Sequence, residues 1–165
     1  MPKNKFSKAQ AVGLQGEQWV FKQLQNQGYS PWFVPHFHAK AQDIIVDGLP
    51  IEVKFANPTY RVKRNQAGLD VYYPRWQWLI HPTSHEQNDE WCLILVAQDE
   101  EEERWPFILP GSQVNKRNHL QLTSHPTRYR GWMAQYLNRW EMIEYLSRRI
   151  YQAGGPLFQE WGVAA

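Results

Sequence analysis

The stretch Asp43-Ile44-Ile45-Val46-Asp47-Gly48-Leu49-Pro50-Ile51-Glu52-Val53-Lys54-Phe55 decides how this chain is read. Asp43 to Val46 reads as a β-strand, Asp47-Gly48 is a dipeptide favoured in two-residue type I′ turns, and Leu49 to Phe55 reads as the returning strand. With such a turn, facing residues have numbers that sum to 95, set by Val46 and Leu49, so Asp43 stands opposite Glu52. Side chains alternate along a strand, which puts Asp43, Glu52 and Lys54 on one face and Ile44, Val46, Ile51, Val53 and Phe55 on the other. The apolar face is a core face. The polar face is harder to explain, because like charges directly opposite each other cost from a few tenths to about 1 kcal/mol. A divalent cation held between them would reverse that sign.

Working outward, residues 7 to 27 predict an amphipathic helix with Leu14, Val20, Phe21 and Leu24 at helical spacing and Gly28 as its stop. Glu17 falls three residues after Leu14 and three before Val20, on or beside the apolar stripe. From helix pattern alone it reads as a carboxylate that snorkels to water. Beyond the hairpin, residues 57 to 67 read as a solvated segment rich in basic and amide groups, with Arg61, Lys63, Arg64, Asn65 and Gln66. Residues 70 to 80 carry both strand-like and helix-like signals. Trp91 to Ala97 is a nearly continuous apolar run, expected as a strand buried on both faces. Arg104 to Leu109 follows as a short strand, and Asp99 with the four glutamates after it reads as the solvated turn between the two. Residues 128 to 152 predict a long amphipathic helix with an aromatic stripe over 132 to 151. That stripe is either a subunit interface or packing against the protein's own sheet.

At 165 residues the chain is expected to be a single domain with a sufficient core. The one cysteine, Cys92, lies in the apolar strand, so no disulfide framework forms within the chain and a reducing, intracellular (cytoplasmic) setting is expected. No apolar stretch is long enough for a membrane span or a secretion signal. The net charge of +2 hides a segregation, because residues 86 to 103 hold 8 of the 16 acidic residues and no lysine or arginine. The remainder is strongly basic. Residues 54 to 75 carry Lys54, Arg61, Lys63, Arg64 and Arg75 against Asp70 alone, a pattern that suits a phosphate backbone. Of the nine tryptophans, Trp19, Trp91, Trp132 and Trp140 sit in apolar contexts and read as core, whereas Trp76 and Trp78 are candidates for stacking on an unpaired base. His36 and His38 alternate on a predicted strand but lack a third ligand for zinc.

The Asp43, Glu52, Val53, Lys54 pattern resembles the signature of the PD-(D/E)xK nuclease superfamily, the restriction-endonuclease-like fold. In that pattern an acidic residue ends one strand, and Asp or Glu, one apolar residue and Lys follow on the next. Gln42 stands where the family name has proline. The resemblance implies an α/β fold (α+β, mixed sheet) with an αβββαβ core over about residues 7 to 110, a helix over residues 70 to 80, and a helical extension over about 111 to 165. It implies a metal-dependent DNA endonuclease that hydrolyses phosphodiesters, of restriction, homing or junction and repair type. Asp43, Glu52, the Val53 carbonyl and Glu17 would hold Mg²⁺ or Mn²⁺. Lys54 would act on water or phosphate, and Gln66 would position substrate. Arg61, Lys63, Arg64 and Arg75 would bind the nucleic acid, double-stranded or branched DNA. Cutting both strands needs two sites, so a homodimer or tetramer is expected. The alternative is a module that binds nucleic acid on the same fold without catalysis. A facing carboxylate pair would then serve no purpose.

Overall fold

The computed structural model describes residues 8–35, 42–80, 89–115 and 117–152. Helix α1 (Lys8–Asn26) ends at Gly28, whose φ of +90° is open to glycine and strained for other residues. It buries Val20 and Leu24. Seven strands follow before the next helix: β1 (Trp32–Phe33), β2 (Ile44–Val46), β3 (Leu49–Ala56), β4 (Thr59–Arg64), β5 (Asp70–Leu79), β6 (Cys92–Gln98) and β7 (Arg104–Pro110). The single-turn α2 (Gly111–Val114), β8 (His119–Leu122), two 3₁₀ turns (Pro126–Arg128 and Trp132–Tyr136) and α3 (Glu141–Gln152) complete the described chain. Among the described residues, no helix is long and apolar enough to cross a membrane.

Strands β1-β2-β3-β6-β7 form one sheet, in which β3 and β6 run parallel and all other neighbours are antiparallel. The fold is therefore mixed α/β. Its central strand β6 is buried from Cys92 to Ala97, as its unbroken apolar run predicts. Cys92, Ile94, Val96 and the apolar side of β2 and β3 face α1 and α3. Leu93, Leu95 and Ala97 face the other way, towards a second sheet of order β4-β5-β8 and the Trp132–Tyr136 turn. Cys92 is fully buried in the core, and burial pushes its thiol well above its ordinary pKa, as suits a packing residue.

Three expectations are corrected. Residues 70 to 79 form the strand β5 rather than a helix, because Trp76 and Trp78 alternate inward with Gln77 outward. That burial also removes both tryptophans from any stacking on bases. Residues 59 to 64 are likewise a strand instead of a loop, paired with β5 from Thr59↔Arg75 to Arg64↔Asp70. The long helix over 128 to 152 is shortened to α3, because the chain wraps round the edge strand β7. Met133 and Tyr136 pack on one face of the main sheet, while Ile143, Leu146 and Ile150 pack on the opposite face. At the crossing Leu137 bridges to Phe107, the Asn138 N–H donates to the Pro106 carbonyl (2.8 Å), and Asn138 takes φ +55°. Most apolar residues of this segment are thus spent on the protein's own sheet, with Tyr145 and Tyr151 left exposed. His36 and His38 lie outside the described residues.

Candidate active site

The β2–β3 hairpin has the register that its turn predicts: Val46↔Leu49, Ile45↔Pro50 and Ile44↔Ile51. Asp47 (φ +46°) and Gly48 (φ +80°) are both left-handed, as a type I′ turn requires. One step further the same register would set Asp43 opposite Glu52, but β2 begins only at Ile44 and here the chain leaves the regular ladder. The Asp43 N–H donates to the Ile51 carbonyl (2.9 Å), and the Asp43 carbonyl accepts from Val34 (3.0 Å). By register the Val53 N–H would go to the carbonyl of residue 42. Instead it donates to Asp43 Oδ2 at 2.7 Å. The carboxylate is therefore pinned to the backbone of β3 next to Glu52. A carboxylate has two oxygens and about four lone-pair sites, so this bond orients the group without exhausting it.

Glu52 is only 2% exposed, and the Lys54 ammonium, 26% exposed, lies 2.8 Å from its Oε1. The contact is an ion pair rather than a well-directed hydrogen bond. Glu52 and Lys54 lie on one face of β3 with Leu93 and Leu95 of β6 beside them, so apolar walls flank the pair. Asp43, Glu52 and Lys54 together carry a formal charge of −1. Glu17 stands half-buried on α1, immediately after Gly16, where α1 touches β3. A Cβ at Gly16 would come within 2.7 Å of Phe55 Cβ, so glycine is what allows this approach.

These groups supply oxygen ligands only: two carboxylates and the Val53 carbonyl. Among the described residues, no three His, Cys, Asp or Glu side chains gather closely enough to hold an ion, so Glu17 does not complete a triad with Asp43 and Glu52. The donor set suits a hard cation such as Mg²⁺, which binds through one or two carboxylates and keeps several waters. It does not suit zinc.

The remaining candidates lie on the β4–β5 hairpin. Gln66 is in its exposed end turn, where Asn65 Oδ1 accepts from Ala67 (3.0 Å) and Leu69 (2.9 Å) and Gly68 has φ +76°. The six-residue strand β4, about 20 Å long at ~3.3 Å per residue, separates Gln66 from the end of β3, so the fold does not bring it to the hairpin carboxylates. Arg61, Lys63 and Arg64 are exposed on β4 and Arg75 is half-buried on β5. Arg64 is tied to Asp70 at 3.6 Å.

Two features were missed from sequence. Arg104 lies over the rings of Trp19 (5.8 Å) and Phe55 (5.7 Å), and its Nε donates to Gln98 Oε1 (3.0 Å), which places a fixed cation beside the end of β3. Its cross-strand pairing with Gln98 follows from the Asp99 turn and was the available signal. The second is a cleft of about 430 Å³ between the β4–β5 hairpin and that turn, lined by Tyr60, Tyr72, Trp105 and His125 among others. At its floor Asp99 Oδ2 accepts from Trp105 Nε1 (3.0 Å) and lies 3.4 Å from His125 Nε2. Burial raises the Asp99 pKa, but the bonds from Trp105, Glu103, His125 and Glu101 together outweigh it and hold the carboxyl below its ordinary range.

No protein-family model and no curated protein matches the chain. Among solved structures it is similar to a bacterial homing endonuclease, I-Ssp6803I, with a TM-score of 0.57 and 15% sequence identity, over 90% of this chain and 99% of that one. The two share a fold.

Proposed function

We propose that the protein is a metal-dependent DNA endonuclease of the PD-(D/E)xK type. The observation that carries this reading is the buried Glu52 carboxylate, ion-paired with Lys54 on a strand whose next residue, Val53, donates its N–H to the Asp43 carboxylate. The shared fold with a homing endonuclease supports it. Asp43, Glu52 and the Val53 carbonyl would hold Mg²⁺ or Mn²⁺. When bound, the ion polarises the scissile phosphate and makes water more acidic.

The chain's own residues supply the rest. The Val53 N–H fixes Asp43, so the first carboxylate is oriented before substrate arrives. Lys54 offers a protonated ammonium that can move from Glu52 to a phosphate oxygen as negative charge accumulates there. Leu93 and Leu95 keep bulk water from one side of the pair, which strengthens these interactions. Basic residues on the β4–β5 hairpin bind the backbone of the same DNA.

The test incubates purified protein with supercoiled plasmid in Mg²⁺, Mn²⁺ or EDTA. Wild type is expected to cut only with metal, and Asp43→Ala and Lys54→Ala to lose two or more orders of magnitude in rate while retaining affinity for the DNA. Equal loss of binding and cutting would remove the catalytic role of these residues. Metal-independent cutting would remove the metal.

A further inference from the structure

The outer face of the β4-β5-β8 sheet differs sharply from its inner face. Even-numbered residues of β5 and β8 point inward, with Trp76 and Trp78 buried against Leu122 and Leu120. Further out, the same side carries Tyr60, Tyr72 and Pro74 over the acidic turn, where the Tyr60 hydroxyl bonds to Glu100. The odd-numbered side presents Arg61, Lys63, Tyr73, Arg75, Gln77 and Gln121, and no carboxylate. Asp70 and its partner Arg64 fall on the other side. Among the described residues none of Arg61, Lys63 and Arg75 is paired with a carboxylate. Lys63 sits 5.8 Å from the Tyr73 ring, and Gln77 Nε2 lies 3.2 Å from His119 Nε2.

The shape of this sheet is equally specific. β5 pairs with β4 through residues 70 to 75 and with β8 through residues 76 to 79, so the sheet is two strands wide at every level. It is a ribbon about 33 Å long, from ten residues at ~3.3 Å each, with strands about 4.8 Å apart. A major groove of B-DNA, roughly 12 Å wide, admits a two-stranded ribbon, and one turn of duplex rises roughly 34 Å.

We propose that this outer face reads duplex DNA in the major groove, with Arg61, Lys63 and Arg75 on phosphates or guanines and Gln77 and Gln121 on base edges. The inference rests on the nuclease reading for its biological sense but not for its measurement. Arginine and glutamine are the side chains that pair bidentately with guanine and adenine, and a face without acid admits the phosphates that flank the groove. Duplex RNA fits poorly, since its major groove is too deep and narrow. Single strands would favour the aromatic side of the ribbon, which faces the acidic turn.

The experiment measures binding of the full chain to a randomised duplex DNA pool in EDTA, across a salt series, followed by sequencing of the bound fraction. Arg61→Ala/Lys63→Ala is expected to lower the slope of log K against log salt by about 2, one per cation, and to weaken binding to all sequences. Gln77→Ala/Gln121→Ala should keep the slope and flatten the preference at a few base positions. Arg148→Ala, on α3 across the main sheet from the ribbon and ion-paired with Glu144, should bind within roughly twofold of wild type. A wild-type slope in Arg61→Ala/Lys63→Ala, equal binding to duplex RNA, or no duplex binding by wild type overturns the proposal. If wild type cuts plasmid in Mg²⁺ but the ribbon variants bind normally, this inference fails and the nuclease stands. If wild type binds through the ribbon but never cuts, the ribbon stands and the nuclease reading fails.

Discussion

Neutralising Glu52 should leave the protein at least as stable as before, whereas removing Lys54 should weaken it. Glu52 is 2% exposed and Lys54 26% exposed, so the two members of the pair have unequal access to water. In Glu52→Gln the ammonium can reach solvent, the desolvated carboxylate is gone, and repulsion from Asp43, worth from a few tenths to about 1 kcal/mol, is relieved. The expected change is between zero and about 1 kcal/mol of stabilisation. In Lys54→Met a buried carboxylate loses its counter-charge. Breaking such a pair costs about 3–5 kcal/mol when both partners are buried, and about 2–3 is reasonable with one partner a quarter exposed. At ~2–4 °C per kcal/mol for a chain of this size, Glu52→Gln should melt up to about 4 °C higher and Lys54→Met about 4–12 °C lower.

Thermal unfolding in EDTA followed by circular dichroism tests this order, and repeating it in Mg²⁺ separates the two readings of the site. An ion at about ten times its Kd adds RT ln 11, or about 1.4 kcal/mol, which is ~3–6 °C for wild type. Glu52→Gln should lose that increment. If Glu52→Gln is the more destabilised variant, or Mg²⁺ raises it as much as wild type, the pair is a structural ion pair and the reasoning fails.

Asp99→Asn should destabilise the protein near neutral pH. Because its folded pKa lies below the unfolded value, the stabilisation is complete above about pH 4 and disappears as pH falls through the folded value, so urea midpoints of variant and wild type should converge in strong acid. Gly16→Ala gains about 1 kcal/mol of helix propensity but meets Phe55 Cβ at 2.7 Å, an overpacking cost of about 1–3 kcal/mol. Net destabilisation in a urea melt is expected, and a more stable variant would show that α1 can back away from β3. Gly48→Ala forces an alanine to φ +80° and should cost about 1–2 kcal/mol by the same assay, with slower plasmid cutting as the Asp43–Glu52 alignment loosens.

The hairpin was legible where local chemistry and tertiary structure agree. Asp47-Gly48 specifies its turn, and the turn sets the register from Val46↔Leu49 to Ile44↔Ile51 without knowledge of anything else in the fold. Strand β6 was legible because a strand covered on both sides must be apolar throughout. Strand β4 was not, since all six of its residues are exposed and no burial imprints a period on them. The stretch from Trp132 to Ile150 misleads for the opposite reason. Its apolar residues recur at near-helical spacing but serve two faces of the sheet, and only Gly131 and Asn138 hint at the breaks. The Asp43–Val53 bond was also beyond reach, because it depends on the ladder starting only at Ile44, one residue after Asp43.

The segregation of charge seen in the sequence acquires a geometric sense in the fold. The glutamates after Asp99 sit under the inner side of the ribbon, and Arg61, Lys63 and Arg75 point from the outer side. One sheet thickness, about 10 Å, lies between them, and the Debye length at physiological salt is about 8 Å. The repulsion that the acidic turn would exert on a duplex docked at the outer face is therefore largely screened, while the proposed contacts of the three cations with phosphate, at hydrogen-bond distance, would not be. At low salt the screening fades and the turn should begin to oppose binding, which flattens the salt dependence there below the value that three cations alone would give. On the inner side no such separation exists, because the carboxylates lie at the surface itself. On the proposed reading, nucleic acid would therefore be excluded from one side of the ribbon and admitted on the other, which would give a sheet two strands wide a single docking orientation.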